Sequence, residues 1–313
     1  MGTAFQGAIP TCGGDGVKRV GNRIFRRNIG ILYLLPAIAL IGLAVGYPIV
    51  HIVEMAFGNV NTFGTIMGPN GFQNFIGLWQ SGFPIVIRNT AVWTLGILIP
   101  TVVLSMALAY SLSLPIRLQP LFRTLSIVPW AIPLTIVAIW GSMAFNALYG
   151  QVNTVLLDLH LISHRVGWLA TGKTSLPVMI LIGIWVSVPF TTLTLLGGIQ
   201  AIPRDILEAS SIDGARGFER FARIVVPLIR NSLQLVVLIN LAYIFNSFPI
   251  IWVMTQGGPA YSSATVTTFV YQLAFTDGQF GFAGAAALLA FLVLIGVALG
   301  YVALYRKSEG SLL

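Results

Sequence analysis

Six apolar runs divide the chain, at Ile29–Val50, Pro84–Leu114, Leu121–Phe145, Pro177–Gly198, Ser232–Met254 and Ala283–Tyr305. Each is long enough to cross a hydrocarbon core ~30 Å thick, which takes about 20 helical residues. Transmembrane strands alternate apolar and polar positions over ~10 residues, and these uninterrupted runs do not. The pattern predicts an all-α membrane protein with six transmembrane helices. Residues 1–28 form a basic leader before the first span (29–57), five further spans occupy 84–305, and 306–313 are a short tail. The leader contains Gly13, Gly14 and Gly16 and no apolar run, so it is expected to be a flexible cytoplasmic segment rather than a cleaved signal.

Composition agrees with this pattern. Hydrophobic residues make up 56% of the 313 positions and charged residues 8%, against about 25% charged in an ordinary soluble domain; mean hydropathy is +0.88. Orientation follows from the basic residues, which favour the cytoplasmic side. Lys18, Arg19, Arg23, Arg26 and Arg27 precede the first span. Arg117 and Arg123 lie between the second and third, and Arg204, Arg216, Arg220, Arg223 and Arg230 between the fourth and fifth. Arg306 and Lys307 follow the sixth. These segments share one side of a six-span chain and hold fourteen of the seventeen lysines and arginines. Both termini are expected in the cytoplasm. The net charge of +8 is then a signature of insertion, and no nucleic-acid partner is needed to explain it. Cys12 is the only cysteine, so no disulfide forms within the chain.

The stretches Asn89–Leu114, Thr124–Phe145, Pro177–Gly198, Ser232–Met254 and Ala283–Tyr305 contain no Asp, Glu, Lys, Arg or His. Proton-coupled carriers relay protons through ionisable groups at membrane depth. Energy from outside the bilayer is therefore the better expectation, with an ion-coupled carrier using backbone carbonyls as the alternative. Uncharged polar residues do occur at depth: Asn89 and Trp93, Asn146 at a helix end, Thr191, Thr192, Thr194, and Asn240, Tyr243, Asn246 and Ser247. The spacing of Asn240, Tyr243 and Ser247 places them on one helical face. Two readings fit: hydrogen bonds between helices, or a solute path lined by amides, hydroxyls and aromatics. Prolines recur within the spans, including Pro129, Pro133 and Pro189, and each removes a backbone donor. Gly296-x-x-x-Gly300 permits close helix contact, expected within the bundle.

Between the fourth and fifth spans, residues 200–231 form a polar block with nearly balanced charge. Pro203 suits the first position of a helix, Arg204–Ile212 continues it, and Gly214 is expected to end it at positive φ. Ile206, Leu207, Ala209 and Ile212 form an expected apolar patch beside Asp205 and Glu208. A second helix from Gly217 carries Phe218, Phe221 and Ile224. A lipid anchor would be mainly basic, whereas Asp205, Glu208, Asp213 and Glu219 offset the arginines here. A soluble protein partner fits better.

This block resembles the signature loop of permease subunits of binding-protein-dependent ABC importers: E-A-A, three residues, G, nine residues, I-x-L-P. Glu208, Ala209, Gly214, Ile224 and Pro227 match at the correct spacing; Ser210 replaces the second alanine and Val226 the leucine. Trp185-Val186-Ser187-Val188-Pro189-Phe190, Leu196–Pro203, and Gly257-Gly258-Pro259 with Tyr271 and Phe275 resemble the sugar-importer branch. Within it, the likeness is to the first permease of maltose- or trehalose-type importers, with glycerol-phosphate permeases as the related alternative. The resemblance implies the type I importer arrangement of six helices in a bacterial plasma membrane, and a coupling helix seated in a groove of an ATPase subunit. Glu208, Ala209, Ser210, Asp213, Gly214, Ile224 and Pro227 would form that coupling loop. It further implies a second homologous permease, two cytoplasmic ATPase subunits that bind the ATP and magnesium, an extracytoplasmic binding protein meeting Gly257, Gly258, Pro259 and Tyr261, and a carbohydrate cargo. No cofactor and no catalysis are expected in this chain.

Two motifs are expected to be decoys. Gly167–Thr174 satisfies the phosphate-binding pattern G-x-x-x-x-G-K-[ST], but it falls outside the cytoplasm in this topology and lacks a preceding strand. His160 and His164 have the spacing of a zinc pair without a cysteine to complete it. The outer segments 58–83, 146–176 and 255–282 are aromatic and sparsely charged. This suits contact with a binding protein, a neutral sugar or the membrane interface.

Overall fold

A computed structural model describes residues 33–115, 117 and 119–310, with side chains through 303 except at 116 and 118. The leader with Cys12, the start of the first span, and the side chains of Arg306 and Lys307 lie outside the described residues. In chain order the elements are α1 (Tyr33–Phe57), β1 (Gly58–Val60), β2 (Ile66–Pro69), α2 (Gln73–Gln80), α3 (Phe83–Ser113), α4 (Gln119–Ala131), α5 (Leu134–Ala144), α6 (Gln151–Asp158), α7 (Gly172–Gln200), α8 (Arg204–Ile212), α9 (Gly217–Arg220, continuing through a π-turn to Leu228), α10 (Arg230–Phe245), α11 (Pro249–Thr255), α12 (Val266–Tyr271) and α13 (Phe280–Gly310). Five stretches are long and apolar enough to cross a membrane: α1, α3, α7, the α10–α11 pair and α13. The bent pair α4–α5 makes a sixth. The architecture is an all-α membrane bundle.

The third apolar run departs from a straight span, since α4 and α5 meet at 86°. Pro129 and Pro133 are four residues apart, so in a continuous helix the ring of Pro133 would strike the Pro129 carbonyl. The residue before a proline also disfavours helical backbone. Pro133 accordingly sits extended (φ −56°, ψ 134°) as the cap of α5, with α4 packed on α7 and α5 on α11. Pro177, expected to open the fourth span, lies inside α7, which begins five residues earlier at Gly172.

Three clusters form the core of residues 53–303. At one end Leu78, Phe83 and Val86 pack with Phe269, Leu273 and Ala283–Ala286. The middle holds Trp93 and Ile97 against Met179, Ile182, Val186, Ile244 and Ile251. At the other end Met106 and Ala109 meet Leu195, Leu196, Ile199, Val225 and Ile229. The α3–α7 pair is the spine of the bundle, and its close approach depends on Gly183, where an added Cβ would lie 2.4 Å from the Ile97 side chain. Among the described residues Gly296 and Gly300 are not used for the expected close packing: a Cβ at either would meet nothing within 4 Å.

The segments expected to be outer are more ordered than their sequence indicated. Residues 58–69 form an antiparallel hairpin pairing Gly58 with Pro69 and Asn59 with Gly68. Buried Asn74 holds it to the helix before it, donating to the Ala56 carbonyl at 3.0 Å and the Gly58 carbonyl at 2.8 Å. Asn153 does the same for residues 146–168. It donates to the carbonyl of Val166 and accepts from the Trp168 indole at 2.9 Å. A buried amide left unpaired costs about 1–3 kcal/mol, so each hub fixes its loop.

Candidate functional site

The polar block folds as an elbow beneath the α3 and α7 ends. Pro203 caps α8 with extended backbone (φ −55°, ψ 134°), one residue before its expected place. Asp205 in the first turn complements the helix dipole. The helix closes as a Schellman motif: the Ala215 N–H donates to the Ser210 carbonyl at 3.0 Å and the Gly214 N–H to the Ser211 carbonyl at 3.3 Å. Gly214 sits at φ +84°, the left-handed geometry expected of it. Ser210 is buried and donates its hydroxyl to the Leu207 carbonyl at 2.7 Å.

The expected apolar patch on α8 divides in two. Leu207 turns inward onto the cluster of Ile199, Ile202 and Val225. Ile206 and Ile212 turn outward, with Ile212 87% exposed, and Phe218 on α9 is 79% exposed. Glu208, Ala209, Asp213 and Pro227 are exposed on the same elbow, and Ile224 is half-buried in the π-turn. Of Phe218, Phe221 and Ile224, Phe221 touches both the Phe218 ring, at 6.1 Å, and Tyr110 of α3. The Phe221 and Tyr110 rings lie 4.9 Å apart, and the Tyr110 hydroxyl donates to the Gly217 carbonyl at 3.2 Å. This buttress links the elbow to α3 and was not visible as a motif, since the partners lie over a hundred residues apart. The Arg223–Glu219 ion pair, 2.7 Å long, is exposed and contributes little.

The polar residues of the spans come together only in part: Trp93, Tyr243 and Ser247 line one small cavity with Ser187. Asn89 donates to the Tyr261 carbonyl at 2.9 Å, the Trp93 indole to the Ile244 carbonyl at 2.9 Å, and Asn240 to the Thr191 hydroxyl at 3.0 Å. All three are buried, and their polar groups fasten helices to one another. Asn240 is buried whereas Tyr243 is 48% exposed; Ser247, just beyond the end of α10, shares the small cavity with Tyr243. Asn246 is exposed and donates to the Ala242 carbonyl at 2.9 Å. Asn146 accepts from the Leu148 N–H at 2.8 Å, capping the turn after α5. Of the seven, Tyr243 on α10 and Asn246 at its C-cap are exposed.

The segment after α11 is a tight polar loop. Gly257 is buried at φ +81°, where a Cβ would lie 2.9 Å from the Ala264 side chain, and the Gly258–Pro259 peptide is cis. Ser263 donates its hydroxyl to the Gly258 carbonyl at 2.7 Å. Pro259 and Ala260 are exposed at its tip. Tyr261 is half-buried; burial, and then the Asp277 carboxylate, raise its phenol above the ordinary range.

The G-x-x-x-x-G-K-T run ends in the first turn of α7, with Gly172 and Lys173 inside a membrane-length helix and Thr171 as its cap. His160 and His164 are both exposed. Among the described residues, no three of His, Cys, Asp and Glu group closely enough to hold a metal.

Residues 101–307 match the family model for the binding-protein-dependent transport system inner membrane component. The chain belongs to this family. This permease is 38% identical to a probable ABC transporter permease protein of Brucella abortus, over 91% of this chain and 99% of that one. It is 27% identical to a trehalose/maltose transport system permease protein of Thermococcus litoralis, over 89% of this chain and 94% of the relative. Among solved structures, a chain of a bacterial ABC transporter involved in importing the acidic polysaccharide alginate superposes with a TM-score of 0.80. It shares 24% identity over 92% of this chain and 99% of that one, and so establishes the fold. The family accounts for the bundle and its exposed elbow as parts of a transport subunit.

Proposed function

We propose that this permease carries a carbohydrate across a bacterial plasma membrane and that α8 is the helix through which a separate ATPase subunit drives it. The observation that carries the reading is the elbow. Glu208 and Ile212 are exposed on a short helix closed at Gly214, Phe218 is exposed on α9 after it, and the elbow is anchored to the spine through Leu207 and the Tyr110–Phe221 contact. Exposed apolar residues beside a carboxylate suit a protein groove. A rigid mount suits the transmission of movement to α3 and α7.

In this reading the elbow is cytoplasmic, as the arginine distribution favours, and the ATP and magnesium belong to the partner. Two ATPase subunits and a second homologous permease complete the assembly. An extracytoplasmic binding protein delivers cargo near the loop of Gly257, Gly258, Pro259 and Tyr261. ATP binding shifts the bundle only if the ATPases bind one conformation more tightly than the other. Tyr243 on α10 and Asn246 at its C-cap, both exposed, are the path residues this reading retains. The named relatives handle trehalose or maltose and an acidic polysaccharide. The stretches Asn89–Leu114, Thr124–Phe145, Pro177–Gly198, Ser232–Met254 and Ala283–Tyr305 carry no cationic side chain. This favours a neutral di- or oligosaccharide, since acidic groups are commonly held by arginine or lysine; Arg88, near the start of α3, counts against it.

Glu208→Lys is the direct test. Uptake of the cargo by the reconstituted assembly should be abolished while membrane insertion and abundance stay at the parental level. Parental uptake by the variant at equal expression would remove α8 from the drive.

A further inference from the structure

A cavity of about 440 Å³ opens between the elbow and the ends of α3, α4 and α7. Its polar lining comes mainly from Arg123, Arg204 and Arg220, with Gln119, Gln200 and Tyr110. Among the described residues no carboxylate lines it. The nearest acidic residue in sequence to Arg220, Glu219, is paired with Arg223 instead. The Nε of Arg123 is buried without a hydrogen-bonding partner among the described residues, and Arg220 reaches only the Ser211 hydroxyl, at 3.3 Å.

Three arginines lining one cavity with no carboxylate among its described lining repel one another, and the unpaired Arg123 donor is costly. A tetrahedral oxyanion resolves both problems, because guanidinium forks match its oxygens in bidentate pairs. The cavity also lies where α3 ends at Ser113 and α4 begins at Gln119, the level at which the chain leaves its apolar spans. Basic pockets between helices at that level suit lipid phosphates.

We infer that this cavity is a phosphate-binding site, taking the headgroup phosphate of an anionic lipid or free phosphate through Arg123, Arg204 and Arg220. The site is independent of the transport reading, because its occupancy requires neither cargo nor ATPase. Titration calorimetry on the purified full-length chain in detergent tests it, using inorganic phosphate, short-chain phosphatidylglycerol and short-chain phosphatidylcholine as separate probes.

Binding of phosphatidylglycerol or phosphate should weaken at least tenfold in Arg123→Gln and in Arg204→Gln, and remain unchanged in Arg165→Gln at the opposite end of the bundle. Arg123→Lys, which keeps charge but loses the fork, should fall between and guards against a folding defect in the glutamine variant. Binding of phosphatidylglycerol alone assigns the site to a lipid headgroup; binding of both assigns it to phosphate generally. No binding of any probe, equal binding by all variants, or a cross-link from position 204 to an ATPase subunit in a chain that binds no probe would overturn the inference.

Discussion

Gly214 and Asn240 show the two kinds of demand that single residues meet here. Gly214 stands at φ +84° with nothing within 4 Å of where a Cβ would be. Substitution there meets only backbone strain, about 1–2 kcal/mol for an ordinary side chain in the left-handed region. Gly214→Ala should therefore loosen the end of α8 and reduce uptake at parental abundance, whereas Gly214→Asn, which tolerates that geometry, should retain most of it. Equal uptake by both variants would separate the Schellman closure from coupling. Asn240 acts through packing: its amide holds Thr191 at 3.0 Å and the Val236 carbonyl at 3.0 Å. Asn240→Ala should lower the melting point of the purified chain, at a cost of about 0.6–2 kcal/mol for an interhelical hydrogen bond in membrane. Retention of cargo uptake at low temperature would mark its role as structural. Gly214 was legible in the sequence because left-handed closure is decided by a few adjacent residues. The choice for Asn240 between helix contact and solute path was not, because its partner lies forty-nine positions away.

Elements reveal a similar division. The extents of α3, α8 and α13 follow from runs of apolar or helix-forming residues, which is why α8 falls on the stretch read from sequence. The α4–α5 bend depends on which neighbours each half finds. Because α4 packs on α7 and α5 on α11, packing as well as proline geometry should hold it. Spin labels at Thr124 and Ser142 should report the same separation in Pro133→Ala as in the parent. A longer separation would show that proline alone maintains the angle. Glycine patterns misled for the same reason. Gly296 and Gly300 have the familiar spacing yet face open space among the described residues, while Gly183, in no motif, sits against Ile97. Gly183→Val should cost about 1–3 kcal/mol through overpacking of the spine, measured as a lower melting point, and Gly300→Val should leave it unchanged.

At the scale of the molecule, the elbow and the Gly257–Tyr261 loop lie at opposite ends of the bundle, since α3 runs from the core of Phe83 to that of Ala109. An ATP-driven reading requires the elbow to meet the cytoplasm and the loop to meet the outside. Fourteen of seventeen basic residues support that orientation; the fold by itself has no preferred sign. A membrane-impermeant maleimide decides the question, because Cys12 is the only cysteine and can be replaced by alanine. In that background, Ala260→Cys should react in cells whose plasma membrane is intact. Ile212→Cys, at a position 87% exposed, should react only after that membrane is opened. Both sites are exposed in the isolated chain, and in cells that express it without its ATPase partner a difference in labelling reports sidedness rather than burial. The reverse result would put Glu208 beyond the reach of any nucleotide-hydrolysing partner, and the arginines of the elbow would then need a different explanation from insertion.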